Sequence, residues 1–129
     1  MSEIMVFGSN LRGIHGGGAA RVAYEHHGAE MGVGEGRTGL SYALPTKADF
    51  SRTLSVEEIA EHAAKFIEYA RANPRDTFQL TQVGCGLAGL TKEQIAPLFR
   101  DIPGNVNAPL AWHEIIFGEV IPARVSFNF

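Results

Sequence analysis

The sequence predicts a single layered α/β domain, and three observations carry that reading. Apolar runs of strand length alternate with stretches of helical periodicity. Two Ser/Thr-x-x-Glu/Gln boxes mark helix starts. Glycine-rich loops fall between predicted strands and predicted helices, the order in which layered α/β domains are built.

The elements follow in order. Glu3 to Phe7 (EIMVF) is a short apolar run ending at Gly8, consistent with a buried strand. Residues 8–18, GSNLRGIHGGG, form a glycine-rich loop that carries Arg12 and His15 and no acid. Ala19 to His27 reads as a short helix stopped at Gly28. Gly32 to Gly39 (GVGEGRTG) reads as polar loop, and Leu40 to Leu44 as a strand that Pro45 ends. Ser55 and Glu58 form a capping box opening the clearest helix. Its Ile59, Ala63, Phe66, Ile67 and Ala70 share one face, with Glu61, Lys65 and Glu68 opposite, and it ends near Asn73-Pro74. Thr77 to Val83 is β-branched enough for a strand and runs into GCGLAG, residues 84–89. Thr91 and Gln94 offer a second box before Ile95, Leu98 and Phe99, where Pro97 predicts a kink or a later start. Val106 to Leu110 and Glu114 to Phe117 read as strands, and the last dozen residues carry no readable element.

At 129 residues, without repeat, low-complexity tract or linker, the chain reads as one domain over 1–129. Polar residues or glycines interrupt every apolar run before membrane length, so no membrane partner is expected. The start, MSEIMVFGSN, lacks a signal-peptide pattern, and the lone Cys85 allows no internal disulfide; a reducing, cytoplasmic setting is expected. A net charge of −3 argues against strong non-specific nucleic-acid binding. The outlier is glycine, with fifteen residues, most of them clustered.

Glycines let backbone N–H groups approach an anion closely, and a helix that follows adds its positive dipole end. Two such loops at the carboxyl ends of strands would suit a pyrophosphate; otherwise the glycines simply make tight turns. GCGLAG fits G-x-G-x-x-G formally, but a dinucleotide-binding fold needs an acid at a second strand end about 20 positions on, where this chain has NVNAPL. No G-K-[ST] follows the glycines, which excludes a Walker A loop. The five histidines have no metal-ligand spacing, so no metal site is expected; no cofactor is expected either.

Three segments resemble the macrodomains, a family that binds ADP-ribose. They are Asn10 followed by Gly16-Gly17-Gly18, YALPTK (Tyr42 to Lys47), and VGCGLAGL (Val83 to Leu90). The resemblance is nearest to the branch holding terminal ADP-ribose glycohydrolases that act on protein carboxylates and antitoxins that strip ADP-ribose from thymine in DNA. It implies a three-layer α/β/α fold with a mixed, mostly parallel sheet. It implies ADP-ribose, or an ADP-ribosylated macromolecule, as the partner, with a nucleic acid as a transient substrate; oligomeric state stays open. It places Lys47 as the lysine that attacks or stabilises the distal ribose C1″, and Asn10 as the contact to that ribose. Gly8, Ser9 and Thr46 join the ligand-binding set, Gly16, Gly17 and Gly18 lie beside the distal ribose, and Gly84, Cys85, Gly86, Leu87, Ala88 and Gly89 wrap the diphosphate. Three departures stand out, the first being that Ala19 and Ala20 follow the triple glycine where another macrodomain class needs an acid. Ala88 occupies the position of an aspartate in the carboxylate-directed enzymes, and the aspartate that holds the adenine amino group has no counterpart.

Single residues carry competing readings. Lys47 is a functional lysine or a solvated surface one. Cys85 is an activated thiolate with His15 as base, or a small buried filler. Arg12 and His15 contact phosphate or keep a loop soluble, and Trp112 is a core residue or a stacking platform. The functions that follow are hydrolysis of an ADP-ribosyl linkage, sequestration of an ADP-ribose-derived nucleotide, or an interaction domain whose loops are purely structural.

Overall fold

The computed structural model describes residues 2–118. The C-terminal stretch for which the sequence offers no element lies, past Gly118, outside the described residues. The strands are β1 (Glu3–Asn10), β2 (Gly36–Thr38), β3 (Ser41–Asp49), β4 (Arg52–Thr53), β5 (Thr77–Leu80) and β6 (Val106–Asn107). The helices are α1 (Gly18–His26), α2 (Val56–Ala72), α3 (Lys92–Ile95) and α4 (His113–Phe117). The strands form one mixed sheet in the order β2-β3-β1-β5-β6, with β4 paired to β3. β1–β3, β1–β5 and β5–β6 run parallel, whereas β2 and β4 pair antiparallel with β3. The α/β class read from the sequence is the class observed.

Alternation along the central strands sends side chains to two separate cores. Ile4 and Val6 of β1, with Tyr42 and Leu44 of β3, join the apolar face of α2 and the Phe78–Phe99–Trp112 group. Phe7 and Ala43 instead meet Ala20 and Ala23 of α1 on the other face. The smaller core is built largely of alanine, so α1 sits close to the sheet. Both capping boxes form. Ser55 Oγ accepts from Glu58 N at 3.1 Å while Glu58 Oε1 accepts from Ser55 N at 2.9 Å, and Thr91 and Gln94 repeat the arrangement.

Several boundaries differ from the sequence reading. Pro45 does not end its strand: β3 runs on to Asp49. Pro45 sits opposite Ser9 where the register slips, so that Asn10 pairs with Lys47 and Thr46 is skipped; a bulge tolerates a residue without an N–H. The polar loop 32–39 contributes an edge strand, β2. The strand expected to Val83 stops at Leu80. Pro97 produces the expected change of winding, since α3 tightens at once into a 3₁₀ turn over Ala96–Phe99. Val106 to Leu110 keeps only two strand residues, and Glu114 to Phe117 is helical. Trp112 and Ile116 are both buried at an i, i+4 spacing, and Gly118 ends that helix at φ 71. Among the described residues no helix is long and apolar enough to cross a membrane.

Candidate functional site

A cleft of about 510 Å³ opens across the carboxyl ends of β3, β1 and β5. Gly8 to Asn10 and Thr46 to Lys47 line it from the sheet, Gly16 to Gly18 from the loop after β1, and Gly84 with Gly86 to Ala88 from the loop after β5. Gly17 and Gly86, nearly seventy residues apart in sequence, therefore share one wall-to-wall space. The two loops also touch. A Cβ built on Gly17 would stand 3.3 Å from Leu87 Cδ1, so the leucine side chain leans against the glycine backbone.

Both loops present backbone donors. The N–H groups of Gly86, Leu87 and Ala88 have no acceptor among the described residues. Across the cleft α1 begins at Gly18 with no side-chain cap and no acid in its first turn, which leaves its leading amides uncompensated. An extended anion is the natural guest of such a pair. The floor is narrow: a Cβ on Gly8 would come within 3.2 Å of Thr46 Oγ1 and 3.5 Å of Gly84 N, so a side chain there would crowd the Thr46 hydroxyl.

The second glycine cluster has a different job. Residues 30–34 lie behind the first loop rather than in the cleft, in backbone-to-backbone contact with it. A Cβ on Gly34 would fall 2.5 Å from Asn10 O, and one on Gly13 would fall 2.4 Å from Gly32 C. Ser9 Oγ donates to Gly34 O, Gly32 N donates to Gly13 O at 2.9 Å, and His15 Nε2 bonds Glu30 O at 2.9 Å. His15 is thus a buried strut set edge-on against Phe7, not a phosphate ligand or a base. Asn10 holds the same loop from within. Its Nδ2 donates to Ile14 O at 2.8 Å and its Oδ1 accepts from Ile14 N at 3.0 Å. The amide retains one further donor and acceptor valence for the cleft it lines.

Lys47 lines the cleft beside Asn10, and its Nζ donates to Phe50 O at 2.9 Å. Asp49 is the one carboxylate among the described lining residues, and Ser51 N, Ser51 Oγ and Arg52 N all donate to its Oδ1. Those bonds, first of all from Ser51, with the nearby Arg12 adding a smaller pull, hold its carboxyl below the usual carboxylate range. Arg12 lines the cleft as well.

Two expected site residues lie elsewhere. Cys85 and Gly89 do not line the cleft: Cys85 packs against the larger core, and Gly89 N donates to Gly86 O to close the turn. Burial, with Glu93 nearby, pushes the Cys85 thiol up, opposite to what an activated thiolate needs. Trp112 is fully buried against Phe99, which removes it as a stacking platform. The sequence reading missed Phe50, Thr81 and Gln82, all of which line the cleft. Thr81 and Gln82 were findable as the residues joining β5 to the glycine loop. Phe50 carried a fainter signal, an aromatic set between Asp49 and Ser51 with no apolar period to bury it. Among the described residues no group of three or more His, Cys, Asp or Glu side chains could hold a metal ion. Comparison with protein-family models, with curated proteins and with solved structures finds no match to this chain.

Proposed function

We propose that this chain binds ADP-ribose or a close derivative, with its diphosphate between the two glycine-rich loops, and hydrolyses an ADP-ribosyl linkage at the Lys47 end. The observation that carries the reading is the meeting of both loops across one cleft, each with unsatisfied backbone donors, over a floor where Asn10 and Lys47 are register partners. The macrodomain-like three-layer arrangement belongs to the same proposal. A mixed, mostly parallel sheet with α1 on one face and α2 on the other supports it. In the reaction, water replaces the group on the distal ribose C1″, whose departing atom takes the proton. Lys47 acts at that carbon and Asn10 positions the ribose.

A second reading, a non-catalytic module that sequesters the nucleotide, is favoured by two details. Lys47 Nζ is engaged by Phe50 O, and the position that an acid would fill in the second loop is Ala88. One experiment separates them. Release of ADP-ribose from an ADP-ribosylated oligonucleotide or peptide should be abolished by Lys47→Ala, with ADP-ribose affinity in calorimetry kept within a few-fold. Undiminished release would remove Lys47 from the chemistry, and absence of release by the wild-type chain that still binds ADP-ribose would select the sequestering module. A thermal midpoint unmoved by saturating ADP-ribose would overturn both, because a ligand held only by the folded state must raise it.

A further inference from the structure

Phe50 is the most exposed large apolar side chain described, at 87% of its full accessible surface, and it lines the cleft beside Lys47 and Asp49. An aromatic ring left in water forgoes burial energy, and the turn that carries it would accept a small polar residue. The turn is held firmly. Asp49 Oδ1 accepts three hydrogen bonds from Ser51 and Arg52, Lys47 Nζ clamps Phe50 O, and β4 pairs with β3 on either side of the tip. The second glycine loop is tied to the same hairpin, since Thr53 Oγ1 donates to Ala88 O at 2.9 Å. Leu87 and Ile14, exposed by 73% and 56%, complete an apolar rim around the cleft. A solvent-facing aromatic ring on a braced turn, beside a cleft lined by Arg12 and Lys47, fits a planar ring attached to a phosphorylated sugar.

We propose that Phe50 forms an aglycone subsite, stacking a planar heteroaromatic ring borne by the distal ribose of the nucleotide in the cleft. The position of that ribose rests on the ADP-ribose reading above; the stacking surface does not. Two sources share this chemistry: a free dinucleotide with a pyridine-type second base, and a base within a nucleic-acid strand. A carboxylate-linked protein adduct has no ring at that point and gains nothing from Phe50.

The test compares wild type with Phe50→Ala and Phe50→Trp, binding ADP-ribose, NAD⁺ and a short single-stranded thymidine oligonucleotide in calorimetry. In parallel, Phe50 ring resonances, assigned with Phe50→Leu, are followed during titration with NAD⁺, thymidine 5′-monophosphate and ribose 5-phosphate. The ring-bearing ligands should lose roughly 5- to 100-fold more affinity than ADP-ribose in Phe50→Ala, and Phe50→Trp should restore it. The Phe50 resonances should move with the ring compounds and stay fixed with ribose 5-phosphate. The tighter of NAD⁺ and the oligonucleotide identifies the source. Equal losses for ADP-ribose and the ring-bearing ligands, or ring resonances indifferent to every ring compound, would overturn the subsite. Failure of ADP-ribose to bind while thymidine 5′-monophosphate still shifts Phe50 would remove the nucleotide reading and leave the stacking surface standing.

Discussion

Gly34→Ala tests whether the first loop owes its shape to the segment behind it. The added methyl would stand 2.5 Å from Asn10 O, 2.6 Å from Leu11 O and 2.8 Å from Leu11 C. All three are backbone atoms next to a strand end, so no side chain can turn aside to make room. Ordinary carbon contacts lie near 3.5 Å, and relief requires the two segments to part by about 0.5–1 Å. That movement strains the Ser9–Gly34 hydrogen bond and the turn that Asn10 closes onto Ile14. Overpacking of this kind destabilises by about 1–3 kcal/mol. For a domain of this size the thermal midpoint should fall by about 3–15 °C. Urea unfolding gives the free energy directly, and an unchanged slope would show that the surface exposed on unfolding is the same in both proteins. Gly16→Ala is the control: nothing lies within 4 Å of its Cβ, so stability should hold or rise by up to about 1 kcal/mol. If Gly34→Ala melts together with wild type, the close apposition of the two segments is wrong, and so is the explanation of why the sequence carries a second glycine cluster.

Three further outcomes are expected. Gly86→Val should fold normally, because nothing lies within 4 Å of its Cβ, yet weaken ADP-ribose binding at least tenfold in calorimetry by crowding the second loop. Asn10→Ala removes both hydrogen bonds across the turn to Ile14 and should lower stability by about 1–2 kcal/mol in chemical unfolding, with increased amide exchange in residues 11–17. Tyr42→Phe should flatten the alkaline limb of stability. Burial, then Glu35 and Tyr69, pushes the Tyr42 phenol up to about 12, above its unfolded value near 10. Its contribution of about 2–3 kcal/mol is therefore fully present below pH 10 and lost as the pH climbs toward 12, which urea midpoints across that window will register.

The elements most legible in the sequence were those with a strong local cause. The α2 helix announced itself through Ser55, Glu58 and an unbroken apolar face, and Gly28 marked the end of α1 within two residues. Elements fixed by tertiary pairing were not legible. β3 outlasts Pro45 because β1 and β4 supply partners on both sides of it, and Gly36–Thr38 becomes a strand only through pairing with Ser41–Ala43. At the site, the glycine loops were visible as composition, and Asn10 and Lys47 as family likeness. Their convergence depends on strand order, which composition does not encode. The same limit hid the difference between the glycine clusters: one lines the cleft and the other is a spacer that lets two backbones touch. Phe50 escaped notice because an isolated aromatic has no periodicity to interpret.

The slip in register at Pro45 reaches further than a local irregularity. By dropping Thr46 from the ladder, it sets Lys47 opposite Asn10, the last residue of β1, and in a strand one step exchanges the two faces. The bulge thus sets which of two neighbouring side chains meets Asn10 from across the ladder, although Pro45 beside it does not line the cleft. An even register would instead set Thr46 against Asn10. A fault in reactivity traced to this strand would then be one of phase rather than of chemistry.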